Sequence, residues 1–137
     1  MKRRKLPPLK SLEKKLDRVF SEYIRRRDAD EGGTAVCVTC GKLYFWRDIQ
    51  AGHWVKRQHR ALRWDERNVY PQCAAENLYK NGAMDEMAAH IIRKHGAETI
   101  DELLRLKKTS VKHTRADLET LIAETEKKIA ALPAIHS

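Results

Sequence analysis

The chain has 137 residues, with 28 Lys and Arg against 19 Asp and Glu, a formal net charge of +9. A content of 42% hydrophobic and 34% charged residues fits one soluble globular domain, residues 1–137, and argues against a disordered or fibrous chain. No apolar run approaches the ~20 residues that cross a bilayer, so an integral membrane protein is excluded; so strong a basic balance expects an anionic partner, nucleic acid first and an anionic membrane surface as the rival. The basic start, Met1 to Lys5, followed by Pro7 and Pro8, lacks the apolar core of a signal peptide and reads as cytoplasmic.

Residues 9–30 read as an N-terminal amphipathic helix. Leu12, Leu16, Val19, Phe20, Tyr23 and Ile24 recur at spacings of three and four, with Glu13, Lys14, Lys15, Asp17, Arg18 and Arg25 to Arg27 between them, which gives one apolar stripe. Its opposite face, with Lys2, Arg3, Arg4 and Lys5 upstream, is either a solvated face or a phosphate-contacting one.

Residues 31–82 have no helical period. Cys37 and Cys40 form a Cys-x-x-Cys pair followed by Gly41, a spacing common in metal knuckles. A redox pair is the rival reading, but it wants a following helix, and Leu43 to Trp46 reads as a second strand. With Cys73 there are three cysteines, an odd count that argues against a closed disulfide framework. Ile49 to Val55 reads as a strand, and a polar loop follows with Arg57, His59, Arg60, Arg63 and Arg67. Asn68 to Cys73 is a short extended piece, and a helix begins near Cys73 or Ala74 until Asn81-Gly82 breaks it.

Residues 83–133 are helical. Met84, Met87, Ala88, Ile91 and Ile92 form one stripe ending near Gly96; Thr99 and Glu102 have the form of a capping box; Thr114 and Asp117 have the weaker Thr-x-x-Asp form ahead of a last helix. There Leu118, Leu121, Ile122, Thr125, Ile129 and Leu132 share a side until Pro133 ends it. Two heptads are too few for a coiled coil, and packing against the first helix explains the stripe equally well.

The chemistry-bearing residues gather between positions 37 and 77. Three cysteines are soft ligands suited to structural zinc, which takes four. Glu76, three residues after Cys73, offers the fourth ligand; His59, His53 or a water are the other choices. His53, with a neutral imidazole near pH 7, can take a proton from water. Attack of that water on a phosphodiester needs a cation to offset charge on the phosphoryl group. Asn77 can supply an oxygen ligand to Mg2+ or Mn2+, and Asp48 is a candidate carboxylate. Arg57, His59, Arg60, Arg63 and Arg67 are candidate DNA contacts. His113 precedes a helix start and can reach a phosphate, whereas His90, His95 and the terminal His136 read as surface residues. Trp54 and Trp64 read as packing residues, with base stacking as the alternative. From chemistry alone, a nuclease and a non-catalytic zinc-containing DNA-binding module stand side by side.

Cys37-x-x-Cys40, Gly52-His53, Asn68 to Cys73 and Asn77, in that order, resemble the HNH (beta-beta-alpha-metal) nuclease module with an embedded zinc knuckle. More closely, the chain resembles the lambdoid phage NinG recombination proteins, also called Rap. The pieces that carry this are Tyr23 to Ala29, Cys37-Val38-Thr39-Cys40-Gly41, Ala51-Gly52-His53-Trp54, Arg63 to Val69, Pro71-Gln72-Cys73 and Thr114 to Leu118. Each piece is short; their joint order is specific and spans nearly the whole chain.

The resemblance implies an α+β fold: an HNH-like treble-clef core flanked by N-terminal and C-terminal helices. It implies a structure-specific, divalent-metal-dependent endonuclease of phage or prophage origin that cuts branched DNA, such as Holliday junctions and D-loops. On it His53 corresponds to the general base and Asn68 to the asparagine that steadies the hairpin. Asn77 corresponds to the ligand of the catalytic ion, and Cys37, Cys40 and Cys73 to ligands of structural zinc. It also implies a homodimer, with one site for each of two strands. Two departures stand out. Glu76 occupies the place of the last cysteine of a second Cys-x-x-Cys, and Gly52 stands where many HNH modules carry an aspartate. The second protein ligand of the catalytic metal is therefore open, with Asp48 and His59 as choices.

Overall fold

In a computed structural model, which describes residues 5–79, 81 and 83–135, the apolar stripe of the first segment forms helix α1, Leu9–Arg27, and buries Leu16, Phe20 and Ile24. Each of these lies four residues from the next, one turn apart on a single face. Arg25, Arg26 and Arg27 occupy the last turn, where cations suit the negative end of the helix dipole. The helix stops at Asp28, three residues short of the expected span, because residues 28–33 turn instead: Asp30 Oδ1 accepts from the amides of Gly32 and Thr34. The upstream cations Lys2, Arg3 and Arg4, with Gly82 and His136, lie outside the described residues.

Strands β1, Thr34–Val36, and β2, Leu43–Phe45, pair antiparallel with Ala35 opposite Tyr44. The cysteine pair sits in the turn between them. Gly41 holds φ +80° there and donates to the Cys37 carbonyl at 2.9 Å, a conformation that favours glycine. A 3-10 turn, Trp46–Asp48, leads into strand β3, Gln50–His53, which pairs antiparallel with β4, Val69–Gln72, placing Gly52 opposite Tyr70 and His53 opposite Val69. The element after Cys73 is a short π-helical turn, Ala75–Tyr79.

Helices α2, Met84–His95, and α3, Ala97–Lys107, meet at Gly96, whose φ is +93°. Thr99 does not cap: α3 begins at Ala97 without a side-chain cap, and Thr99 Oγ1 donates back to the His95 carbonyl. By contrast Thr114 and Asp117 form both halves of a capping box at the start of α4, Arg115–Ala130. Leu118 and Ile122 pack on Leu16 of α1, so the last stripe is covered by the first helix. Met87, Ile91 and Leu103 close over Trp54, Val55, Leu62 and Tyr70, while Phe20 and Ile24 lie on Val69. The architecture is α+β, with helices on both sides of the β3–β4 hairpin. No helix among the described residues is long and apolar enough to cross a membrane.

Candidate functional site

The β1–β2 turn delivers Cys37 and Cys40, and the end of β4 delivers Cys73. Their sulfurs lie within 4.8 Å of one another, close enough to hold one metal ion, with Cys40 Sγ and Cys73 Sγ 3.8 Å apart. Burial opposes ionisation of Cys37. The amide of Cys73, the Thr39 hydroxyl and the amides of Cys40 and Thr39 outweigh it and bring the thiol down to about 7. A thiolate is the form a metal binds. The hydroxyl of Tyr44, on β2, bonds to Cys73 and is thereby held above its ordinary range. Glu76 is buried on the π-helical turn, yet its carboxylate is not part of the three-sulfur group. Among the described residues the group of mutually close ligand atoms is thus three sulfurs.

A second feature lies between α1 and the β3–β4 hairpin. A cleft of about 530 Å³ is lined by Asp17, Ser21 and Arg25 from α1, Gln50 and His53 from β3, Lys56, Arg57 and Arg63 from the following loop, and Asn77 from the π-helical turn. His53 Nε2 stands 2.8 Å from the Arg63 carbonyl oxygen. A carbonyl only accepts, so Nε2 carries the proton and Nδ1 is the basic nitrogen. Burial lowers the His53 pKa, outweighing the Arg63 carbonyl and Asp17, so the ring is neutral at pH 7. Asn77 Nδ2 donates to Gln50 Oε1 at 2.8 Å, which orients the amide and leaves Oδ1 as its acceptor.

Asn68 holds the loop between β3 and β4. It is fully buried; its Oδ1 accepts from the Val55 amide, and its Nδ2 donates to the carbonyls of Val55 and Leu62. The loop's other anchor is α1. Arg63 grips Asp17 through two bonds of 3.0 and 2.6 Å, Trp64 Nε1 donates to the same carboxylate, and Arg60 reaches Glu13 at 2.6 Å. Both anchors fix the Arg63 carbonyl, and through it the His53 ring.

These pairings engage three of the arginines anticipated as DNA contacts. Arg60 and Arg63 bind carboxylates of α1, and Arg67 binds Asp65 and Glu102. Arg57, with a side chain 68% exposed, is the freest of the set. His59 is half-buried and, like the exposed Asp48, does not line the cleft. Trp54 is buried in the core and Trp64 is half-buried on α1 and α4, which are packing positions. His90 departs from a surface role: it is half-buried, edge-on to Tyr70 at 4.8 Å. His113 meets Trp64 edge-on at 5.0 Å. The cleft residues that sequence reasoning passed over are Asp17, Ser21 and Arg25. They form a polar stripe of spacing four, one position after the apolar stripe of Leu16, Phe20 and Ile24.

The family described as "Bacteriophage Lambda NinG protein" matches residues 1–134. The chain belongs to that family. It is 32% identical over 91 residues to "Protein ninG" of Escherichia phage 933W, an alignment covering 66% of this chain and 43% of that protein. It is 31% identical over 91 residues to the proteins of the same name from Escherichia phage lambda and Salmonella phage P22, again 66% of this chain and 42% of each of theirs. The match thus spans less than half the length of these relatives. No solved structure matches the chain significantly.

Proposed function

We propose that this NinG-family chain is a divalent-metal-dependent endonuclease acting on branched DNA, with an HNH-like core and working as a homodimer in the cytoplasm of the bacterial host. The observation that carries the reading is the convergence of His53 and Asn77 on one cleft, from a β-hairpin and the helical turn after it. His53 Nδ1 is free to accept the proton of an attacking water, because Nε2 is engaged by the Arg63 carbonyl. Asn77 Oδ1 is an oxygen ligand of the kind Mg2+ or Mn2+ takes. Such an ion, when bound, offsets charge on the phosphoryl oxygens. Asn68 takes no proton; it keeps the loop closed so that the base is aimed.

The knuckle suits zinc. A tetrahedral ion with Zn–S bonds of about 2.3 Å sets its sulfurs about 3.8 Å apart, which is the Cys40–Cys73 separation. Three soft ligands fit the ion, and the fourth position falls to water or a group other than the three cysteines. Cys37, Cys40 and Cys73 would hold such an ion in a structural role, joining the β1–β2 turn to the end of β4, which leads directly into the Asn77 turn.

A second reading, junction binding without cleavage, draws on one observation. Among the described carboxylates, only Asp17 lines the cleft with His53 and Asn77, and both its oxygens are held by Arg63. One experiment separates the two. A labelled four-way junction and a matching duplex are incubated with the protein in Mg2+ or Mn2+ and in excess EDTA. Metal-dependent cutting of the junction, lost in His53→Ala while junction binding persists, is the expected result. Tight junction binding with no cutting in either ion establishes the second reading, and equal cutting by wild type and His53→Ala removes the base assignment.

A further inference from the structure

The cations best placed to take phosphates are not in the loop after β3. Arg25, Arg26 and Arg47 surround one indole: their guanidinium carbons lie 5.3, 5.5 and 5.1 Å from the centre of the Trp46 ring. Arg25 and Arg26 come from the last turn of α1, and Arg47 from the 3-10 turn after β2. The indole π face attracts a cation, but the three cations repel one another, and one ring offsets little of that. Among the described residues, the only ion pair of the three is Arg26 with Glu22 at 3.3 Å. Arg25 makes its bonds to uncharged groups, the Trp46 carbonyl and Ser21. Arg47 is exposed. The set adjoins the cleft, because Arg25 also lines it beside His53 and Asn77.

We propose that Arg25, Arg26 and Arg47, gathered on Trp46 beside the cleft, form the site that holds the phosphodiester backbone of DNA. Guanidinium forks match phosphate oxygens in pairs. An anion among the three relieves their mutual repulsion. By contrast Arg60, Arg63 and Arg67 already hold carboxylates, so a phosphate there has first to displace one. The proposal rests on the functional reading above only in taking DNA as the anion.

The test is the salt dependence of binding to a fluorescent four-way junction, measured without chelator and without added Mg2+ or Mn2+, so that the knuckle keeps its metal and nothing is cut. Cleavage in Mg2+ is recorded separately. Each lost phosphate contact lowers the slope of log affinity against log salt by about one. Arg26→Gln/Arg47→Gln is expected to lose about two, and Arg47→Gln alone about one. Arg60→Gln, paired to Glu13, is expected to keep the wild-type slope. Thermal melting of each variant separates misfolding from lost contact, and the exposed Arg47→Gln carries the test if the double variant melts early. A wild-type slope in Arg47→Gln and the double variant, or an equal loss in Arg60→Gln, overturns the site; if wild type still cuts DNA, the nuclease reading survives. The expected slopes without any cutting leave the site standing and remove the nuclease reading. A wild-type protein that binds no DNA overturns both.

Discussion

Replacing Asn68 with alanine tests how the β3–β4 loop is held. The side chain is fully buried and satisfies three backbone groups: the Val55 amide at 2.8 Å, the Val55 carbonyl at 2.9 Å and the Leu62 carbonyl at 3.1 Å. Alanine strands all three where water has little access. Each orphaned buried group costs about 1–3 kcal/mol. Partial relaxation of the loop brings the total to about 3–5 kcal/mol, a large share of the 5–15 kcal/mol typical of a domain. For a chain of this size that is a fall in Tm of roughly 10–15 °C. Circular dichroism melts of wild type and Asn68→Ala measure it directly. Asn68→Asp sharpens the test. Its carboxylate still accepts from Val55 but faces two carbonyl oxygens, so only the protonated acid can donate to them. Its folded pKa therefore rises above the unfolded value of about 3.9. The variant is expected to approach wild type in acid and to lose stability as pH rises through that folded pKa. An Asn68→Ala Tm within about 3 °C of wild type refutes the argument, because 1 kcal/mol already moves it by roughly that much.

Three further outcomes follow from the geometry. His53, His90, His95 and His113 are all lowered from the ordinary histidine value, each chiefly by burial. The unfolded chain therefore takes up more protons as pH falls through about 6.5. Stability is expected to be full above that value and to decline below it, and a urea midpoint that is flat or rising from pH 7.5 to 5.5 contradicts this. Cys73→Ser is expected to lose bound metal measured on the purified protein, and Glu76→Gln to retain it, because Glu76 is outside the sulfur group; metal loss in Glu76→Gln returns that carboxylate to the ligand set. Gly52→Asp is expected to destabilise by about 1–3 kcal/mol through overpacking, since a Cβ at Gly52 overlaps Gln72 Oε1 and comes within 3.0 Å of Gln72 Cβ and Cδ. An undiminished Tm with faster cutting shows instead that the aspartate carried by many HNH modules fits here.

Where a feature depends on neighbours in the chain, its residues announce it. The four-residue recurrence of Leu16, Phe20 and Ile24 is α1, and Thr114 with Asp117 is the start of α4. The Cys-x-x-Cys-Gly turn is local too, since Gly41 alone takes the positive φ it needs. Thr99 fails as a cap for an equally local reason: α3 follows α2 directly through Gly96, so position 99 already lies inside the helix. The cleft was half legible. His53 and Asn77 stand out by residue type and order, whereas Asp17, Ser21 and Arg25 come from a helix that reads as packing and become cleft residues only when α1 docks on β3. The roles of the arginines were the least legible. Arg60 finds Glu13 at a separation of 47 residues and Arg63 finds Asp17 at 46, and no short-range pattern encodes such a pairing.

The same pairings explain why a net charge of +9 does not by itself locate a DNA surface. Charge sets the sign of the long-range field, but a cation clamped by a carboxylate at 2.6–2.8 Å, as Arg60, Arg63 and Arg67 are, has to release it before it can take a phosphate. Along α1 the two uses separate. Its middle carries Glu13 and Asp17, which clamp the loop and hold the Arg63 carbonyl against His53. Its last turn carries Arg25 and Arg26, whose only carboxylate partner among the described residues is Glu22, on Arg26. Helix α1 thus fixes the His53 ring with its acids and leaves its terminal cations beside the same cleft. Arg57 adds one more cation from the loop, 3.9 Å from Asp17 and largely exposed. A phosphate entering the cleft therefore meets Arg25 from the helix and Arg57 from the loop, both lining it with His53.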